Sequence, residues 1–303
     1  MKNFINYFYN IFPTKIFTEN EYCYFFVKNS KIYVKKYYEN SNELENLLSI
    51  SNTLYENGVF VNTFIFNNKK ECYTKKDKDN IILLKVNDTE DELLEITDIL
   101  NFHKVVIPEI NDMKELNIYS IWAENVDKLE EKMIEYNKEY PIIQNSINYY
   151  IGLSENAIQL MNESKKIKNN KIALSHNIKF NLYSKKELYN PLNFVVANPL
   201  FDVANYIKYK FFKDIINYDE VESIILNNIY DEYDIQYFFS NLLFPNYYFD
   251  TVKDIIDNDK KEKELNNFIN KINKYELFLY ECKEIIKKKY NFPNISWING
   301  DID

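Results

Sequence analysis

Residues 22–58 read YCYFFVKNSKIYVKKYYENSNELENLLSISNTLYENG. The first half, to about Tyr37, is dense in aromatic and β-branched residues, and Asn29 and Ser30 supply turn chemistry in its middle, so it predicts a β-hairpin. The second half sets Leu44, Leu47, Leu48, Ile50 and Leu54 near helical spacing and stops at Gly58, which predicts one amphipathic helix. Downstream, VFVNTFIF, ECYT and NIILLKVN are three more β-favouring runs, broken by NNKK and KKDKDN. Hairpin, helix and further strands within residues 1–87 make a small antiparallel sheet carrying one helix.

From residue 88 to 303 the apolar residues recur three and four apart. Leu93, Leu94, Ile96, Ile99 and Leu100 predict a helix, a second spans about Met113 to Tyr140, and Pro141 opens a third that runs to about Ser164. An irregular island at 171–199, with IALSHNIKFNLYS and NPLNFVV, interrupts the helices, which resume at Leu200. No Gly/Ser-rich linker and no internal repeat separates the parts. The expected fold class is α+β, a small sheet-plus-helix lobe followed by a larger, mainly helical one.

Composition narrows the function. A chain of 303 residues buries a core without disulfides, and its three cysteines, Cys23, Cys72 and Cys282, form neither CxxC nor a Cys/His cluster, so no metal site is predicted and a reducing, cytoplasmic setting is expected. The aromatic amino terminus is interrupted by Asn3, Asn6, Asn10 and Pro13 before a signal sequence could form, and no later run has the length of a membrane span. A net charge of −9 argues against a nucleic-acid partner. Every one of the 37 basic residues is lysine, so any phosphate must be held by point charges, backbone amides or a metal rather than by a guanidinium fork.

The order of elements, together with residues 174–212, LSHNIKFNLYSKKELYNPLNFVVANPLFDVANYIKYKFF, resembles the two-lobed protein-kinase-like fold, in particular the aminoglycoside phosphotransferase and choline kinase group with its spore-coat kinase-like members. In that group a strand ends in a His-Gly-Asp catalytic loop, a metal-binding Asp follows the next short strand, and an Asp-hydrophobic-Ala segment opens a helix. His176 matches the histidine, and Asp202-Val203-Ala204 matches the helix opening, which implies a structural role for Asp202. NYYFDTVKDII and the terminal NFPNISWI are similar in character to helical segments of the spore-coat members.

The resemblance also fixes where chemistry is missing. Asn177 and Ile178 follow His176, so Ile178 stands where the catalytic aspartate is expected; Tyr183 takes the metal-binding asparagine position, and Asn181 is two residues short of it. The second metal-binding acid falls at Ala197 or Asn198, neither a carboxylate. Without the base and both metal ligands, little phosphoryl transfer is expected. On the second or third strand, Lys35 or Lys36 is the candidate phosphate-holding lysine, with Glu43 or Glu45 as its helical ion-pair partner; no glycine precedes Gly58, so no glycine-rich loop precedes them. ATP and Mg²⁺ are implied only where this nucleotide site is retained.

Other candidates have plainer readings. Ser175 and His176 are adjacent on a strand and face opposite ways, which favours a structural histidine. Acidic runs such as Glu90-Asp91-Glu92 are solvated faces, and the clusters Tyr237-Phe238-Phe239 and Tyr247-Tyr248-Phe249 are core. The expectation is therefore an inactive kinase-like module that binds an unidentified protein or small molecule, with an active ATP-dependent phosphotransferase and a spore-coat-type structural protein as alternatives.

Overall fold

The computed structural model describes the chain except residues 20–21, 38–40, 87–91, 109, 111–112, 114, 136–138, 168–170, 178–183, 259, 293–294, 296–297 and 299–303. Two compact units emerge, one of residues 1–115, 173–178 and 182–196, the other of residues 116–172, 179–181 and 197–303.

The first unit opens with α1 (Lys2–Tyr9), an element the asparagine-interrupted sequence did not suggest. Its sheet holds β1 (Phe17–Glu19), β2 (Tyr22–Val27), β3 (Ser30–Tyr37), β4 (Thr63–Ile65), β5 (Thr74–Lys76) and β6 (Asp79–Lys85). The order is β1-β2-β3-β6-β4 with β5 also on β6, and every pairing is antiparallel. The hairpin turn lies one residue earlier than its turn chemistry suggested: Val27 pairs with Ser30, and Lys28 adopts a left-handed φ of 53°.

Both faces of the sheet are covered. On one, Tyr33, Ile82, Leu84 and Phe64 pack with Leu44, Leu47, Ile50 and Leu54 of α2 (Ser41–Glu56), together with Phe102, Leu174 and Phe194. On the other, Phe25, Ile32, Val34, Ile81 and Leu83 lie under Ile5 and Tyr9 of α1. The Tyr9 hydroxyl donates to the Ile81 carbonyl at 3.0 Å and accepts from Thr74 at 3.1 Å; burial pushes its pKa up to about 12. Helix α2 ends in a Schellman turn: Gly58 at φ +81° donates to Tyr55 O, and Val59 N reaches back to Leu54 O at 2.9 Å. Next, α3 (Ile96–His103) starts three residues after the expected Leu93, because Glu95 and Asp98 form a reciprocal capping box. The island supplies β7 (Ala173–His176), α6 (Lys185–Leu188) and β8 (Phe194–Ala197), with β7 paired to β8.

The second unit contains α4 (Ile118–Glu135), α5 (Pro141–Ser164), α7 (Leu200–Phe212), α8 (Tyr218–Asn228), α9 (Glu232–Leu243), α10 (Asn246–Asn258), α11 (Asn266–Ile269) and α12 (Ile272–Lys287). Its centre is α9, buried at every position from Tyr233 to Leu243, with α5 and α7 against it. The two aromatic clusters are core: Tyr248 stacks on Tyr150 at 3.7 Å, and Tyr247 packs at a tilt against Phe212 at 4.1 Å. Lys208 is buried among them at 1% exposure, donating to the Phe244 carbonyl at 3.1 Å and to Asn246 Oδ1 at 2.8 Å. It thereby satisfies a carbonyl at the end of α9 and holds the side chain of Asn246 at the start of α10. Burial depresses its pKa to about 7, with Asp250 partly offsetting the effect.

Backbone geometry gives a paired expectation. Gly58→Ala meets no steric neighbour at Cβ, so its cost is conformational, about 1 kcal/mol. Lys28→Gly gains about 0.5 kcal/mol, because relief of the left-handed strain, roughly 1–2 kcal/mol, exceeds glycine's added chain entropy. Urea midpoints moving in opposite directions would support both; a neutral Gly58→Ala would refute the first. Lys208 predicts a pH slope. The folded state releases its proton near pH 7 while the unfolded chain keeps it to about 10.4. The penalty is therefore full below pH 7 and is relieved as pH rises through 7 to 10. Stability of wild type relative to Lys208→Met is expected to climb between pH 7 and 9 by up to roughly 1.4 kcal/mol per unit. A flat difference in denaturant titrations would contradict the depressed pKa.

Candidate functional site

In the first unit, the register of β3 assigns its side chains to faces. Tyr33, Lys35 and Tyr37 point to the α2 side, whereas Ile32, Val34 and Lys36 point to the α1 side, since successive side chains alternate. Lys36 is paired with Asp79 at 2.8 Å on that outer face. Lys35 is half-buried, with its Nζ 5.6 Å from the centre of the Tyr33 ring. Across from it on α2, Glu43 accepts a hydrogen bond from the Tyr37 hydroxyl at 3.2 Å. Glu43 and Glu45 are both exposed, one in the first turn of α2 and the other two residues on. Lys35, Tyr37 and Glu43 therefore share one side of the sheet, and Lys36 is on the other.

Two further lysines meet the same ring. Lys31 Nζ is 5.2 Å from the Tyr33 ring centre and 4.6 Å from that of Tyr24; Lys186 Nζ, from α6, is 5.1 Å from Tyr33. Sequence reading missed Lys186, since Lys185-Lys186 looks like a solvated pair. A faint signal exists in the i, i+2 spacing of Lys31, Tyr33 and Lys35 on one strand face.

The island is tied down by polar contacts. His176 has no solvent exposure; its Nε2 donates to the Leu188 carbonyl at 2.9 Å, and its ring packs 4.6 Å from Phe102 and 5.5 Å from Phe194. Asn177 N donates to Asn193 O at 2.7 Å. Ser175 Oγ faces the Ala173 carbonyl, not the imidazole. Glu187, a buried carboxylate the sequence did not single out, accepts from Asn193 Nδ2 at 2.7 Å. Lys185 joins Glu92 at 2.7 Å and Asp98 at 3.4 Å, and both contacts help hold its pKa above the usual lysine range. Tyr189 O accepts from Asn62 N at 2.8 Å. Ile178, Asn181 and Tyr183 lie outside the described residues.

In the second unit, Asp202 is 1% exposed in the first turn of α7, where the helix N-terminus favours a carboxylate. Asn198 is 2% exposed; its Oδ1 accepts from Leu200 N at 2.8 Å, while its Nδ2 has no hydrogen-bond partner among the described residues. Ala197 and Asn198, where the resemblance puts the second metal-binding acid, bring no carboxylate for the Mg²⁺ of a nucleotide complex. A magnesium site needs oxygen ligands, usually carboxylates. At 197–198 the chain offers a methyl group and an amide whose oxygen is already engaged and whose other end is a donor. Among the described residues, no three His, Cys, Asp or Glu side chains cluster to hold a metal, and no helix is long and apolar enough to cross a membrane.

Comparison with known proteins bears on the fold and the family. A structure of an aminoglycoside phosphotransferase from Alicyclobacillus acidocaldarius superposes with a TM-score of 0.60 at 9% identity, covering 91% of this chain and 93% of that one. The AMP-bound complex of the spectinomycin phosphotransferase APH(9)-Ia superposes with a TM-score of 0.50 at 14% identity, covering 98% and 96%. Both likenesses show the fold, a kinase-like one with an amino-terminal antiparallel sheet and helix and a mostly helical remainder. The endospore coat-associated protein YutH of Bacillus subtilis is 25% identical over 203 residues, 59% of this chain and 60% of that protein's length. The family model "Spore coat putative kinase YutH" matches residues 2–282, and the chain belongs to that family.

Proposed function

We propose that this chain is a kinase-like binding or regulatory module without phosphotransferase activity, which keeps Lys35 as a phosphate-holding lysine on β3 and Glu43 as the acid of the facing helix. What supports this reading is that the resemblance puts the second metal-binding acid at Ala197 or Asn198, and Asn198 is a buried amide whose Oδ1 accepts from Leu200 N. A kinase needs its metal to bridge and neutralise the phosphates, and losing that ligand together with the base leaves positioning without chemistry. Asp202 and His176, both buried, act in this reading as structural residues. We place the folding of the chain in a reducing compartment, since Cys23, Cys72 and Cys282 are free thiols. Its place of action is the spore coat, a reading supported by the coat-associated relative.

ADP formation from ATP with Mg²⁺ or Mn²⁺ tests the loss of activity. The expected result is no turnover above the protein-free rate at any protein concentration. Turnover that scales with protein and is abolished in Asp202→Asn would overturn the reading in favour of an active phosphotransferase with a displaced acid.

A further inference from the structure

Helix α1 covers the outer face of the first unit's sheet, and what it leaves uncovered is aromatic. Ile5 and Tyr9 face the sheet, whereas Tyr7, two residues from each, projects from the opposite side of the helix and is 75% exposed. Phe12, just past the helix, is 71% exposed. Phe4 and Phe8 are half-buried with ring centres 4.8 Å apart, and Phe8 meets the Tyr7 ring at the same distance. Single exposed apolar residues are ordinary, but adjoining rings projecting from one element mark an interaction surface. The rim of this patch is cationic. Residues 1–18 contain two lysines and no acid. Lys76 Nζ lies 5.9 Å from the centre of the Phe4 ring, and Lys2 Nζ donates to the Thr14 carbonyl at 3.1 Å. Lys69 and Lys70 belong to a loop fastened to the end of α1, where Asn68 donates from N to Phe8 O and from Nδ2 to Tyr7 O, both at 2.8 Å. Among the described residues, Lys2, Lys69, Lys70 and Lys76 form no ion pair, while Asp79 is matched by Lys36 and Glu71 accepts from Asn67 Nδ2.

We propose that the outer face of α1, with Tyr7, Phe12 and the lysines around them, is a docking surface for an anionic lipid bilayer. Charge and shape both select this partner. The rings project from the convex side of a helix, a form that sinks into a deformable headgroup layer without a matching cavity. Aromatic rings settle at headgroup level, and lysine stems lie along apolar surroundings while their ammoniums reach anionic phosphates. The chain as a whole carries a net charge of −9 and is repelled by such a surface, so the local positive face also sets the orientation, α1 towards the lipid. With eight residues, α1 lies in the plane of the interface and does not enter the hydrocarbon core. None of these residues takes part in the proposed function, so the two readings stand or fall separately.

Co-sedimentation of the full chain with vesicles tests this, using phosphatidylcholine alone and an equimolar mixture of phosphatidylcholine and phosphatidylglycerol. The chain is expected to bind the mixed vesicles, to lose binding as salt rises, and to leave the neutral ones unbound. Tyr7→Ser and Phe12→Ser are each expected to lower the partition coefficient about tenfold, the value of shallow burial of one aromatic ring. Lys69→Gln and Lys70→Gln are each expected to lower it about fivefold, the value of one lysine near an anionic surface. All four side chains are exposed, so an unchanged Tm is expected to accompany each loss. Tyr55→Ser, 53% exposed on α2 across the sheet, is expected to bind as wild type; an equal loss there would reveal general stickiness and overturn the assigned face. No binding to the mixed vesicles at low salt, or equal binding to both kinds, would overturn the inference. Equally tight binding of soluble polyglutamate, lost in the same variants, would reassign the face to an acidic polypeptide. A dimer that forms without vesicles and dissociates in Tyr7→Ser would reassign it to a second copy of this chain.

Discussion

The central strand β6 sets the first unit. Ile81, Ile82, Leu83 and Leu84 are each at 0% exposure, pointing alternately into the α1 and α2 layers, and the same strand pairs with β3, β4 and β5. An antiparallel sheet commonly leaves one face to water. Here both faces are covered, so β6 reads as a continuous apolar run and its partners have no freedom to slip. Register then becomes chemistry. Moving β3 by one residue against β6 would send Tyr33 and Lys35 to the outer layer and bring Lys36 inward, along with burying the wrong apolar set. The choice between two adjacent lysines is thus made by the hydrophobic pattern of a neighbouring strand.

Polar groups in this chain repeatedly do work for which other residues would be the usual choice. Without arginine, the ion pairs that fasten the island and the helices fall to lysine, as in Lys185 with Glu92 and Asp98, or Lys171 with Asp234 at 2.6 Å. With three glycines in the whole sequence, left-handed turns fall to Lys28, Lys70, Asp77 and Asp214. Each such turn carries strain that glycine would avoid. Even the junction between α9 and α10 is closed by a buried ammonium, Lys208, at the cost of its desolvation.

Much of the fold was legible because it rests on periodicity. The α2 stripe, Pro141 at the start of α5, and the apolar run of β6 are local signals that tertiary packing did not override. Helix α1 was missed because its asparagines hide Ile5 and Tyr9, two residues one turn apart whose value appears only when a sheet lies beneath them. The candidate site was less legible. Sequence narrowed its lysine to two, and strand alternation said that one faces inward, but which one depends on the distant pairing of Lys35 with Ile82. Lys186 had no sequence signal, since its neighbour Tyr33 is brought to it by packing and not by spacing, and Glu187 meets Asn193 only through the turn between them.

The buried histidine shows how packing by itself can hold a motif residue in place. His176 is held by the Leu188 carbonyl and by Phe102 and Phe194, so replacing it would leave a cavity and an unpaired carbonyl in the core. Asp202, equally buried at the start of α7, is bound to its place by the same reasoning. These residues are kept by stability whether or not a reaction occurs. Asn198 has a backbone duty of the same kind, its Oδ1 accepting from Leu200 N at the start of α7. The burial of His176 and Asp202 therefore testifies to packing, and a reaction is not needed to account for either.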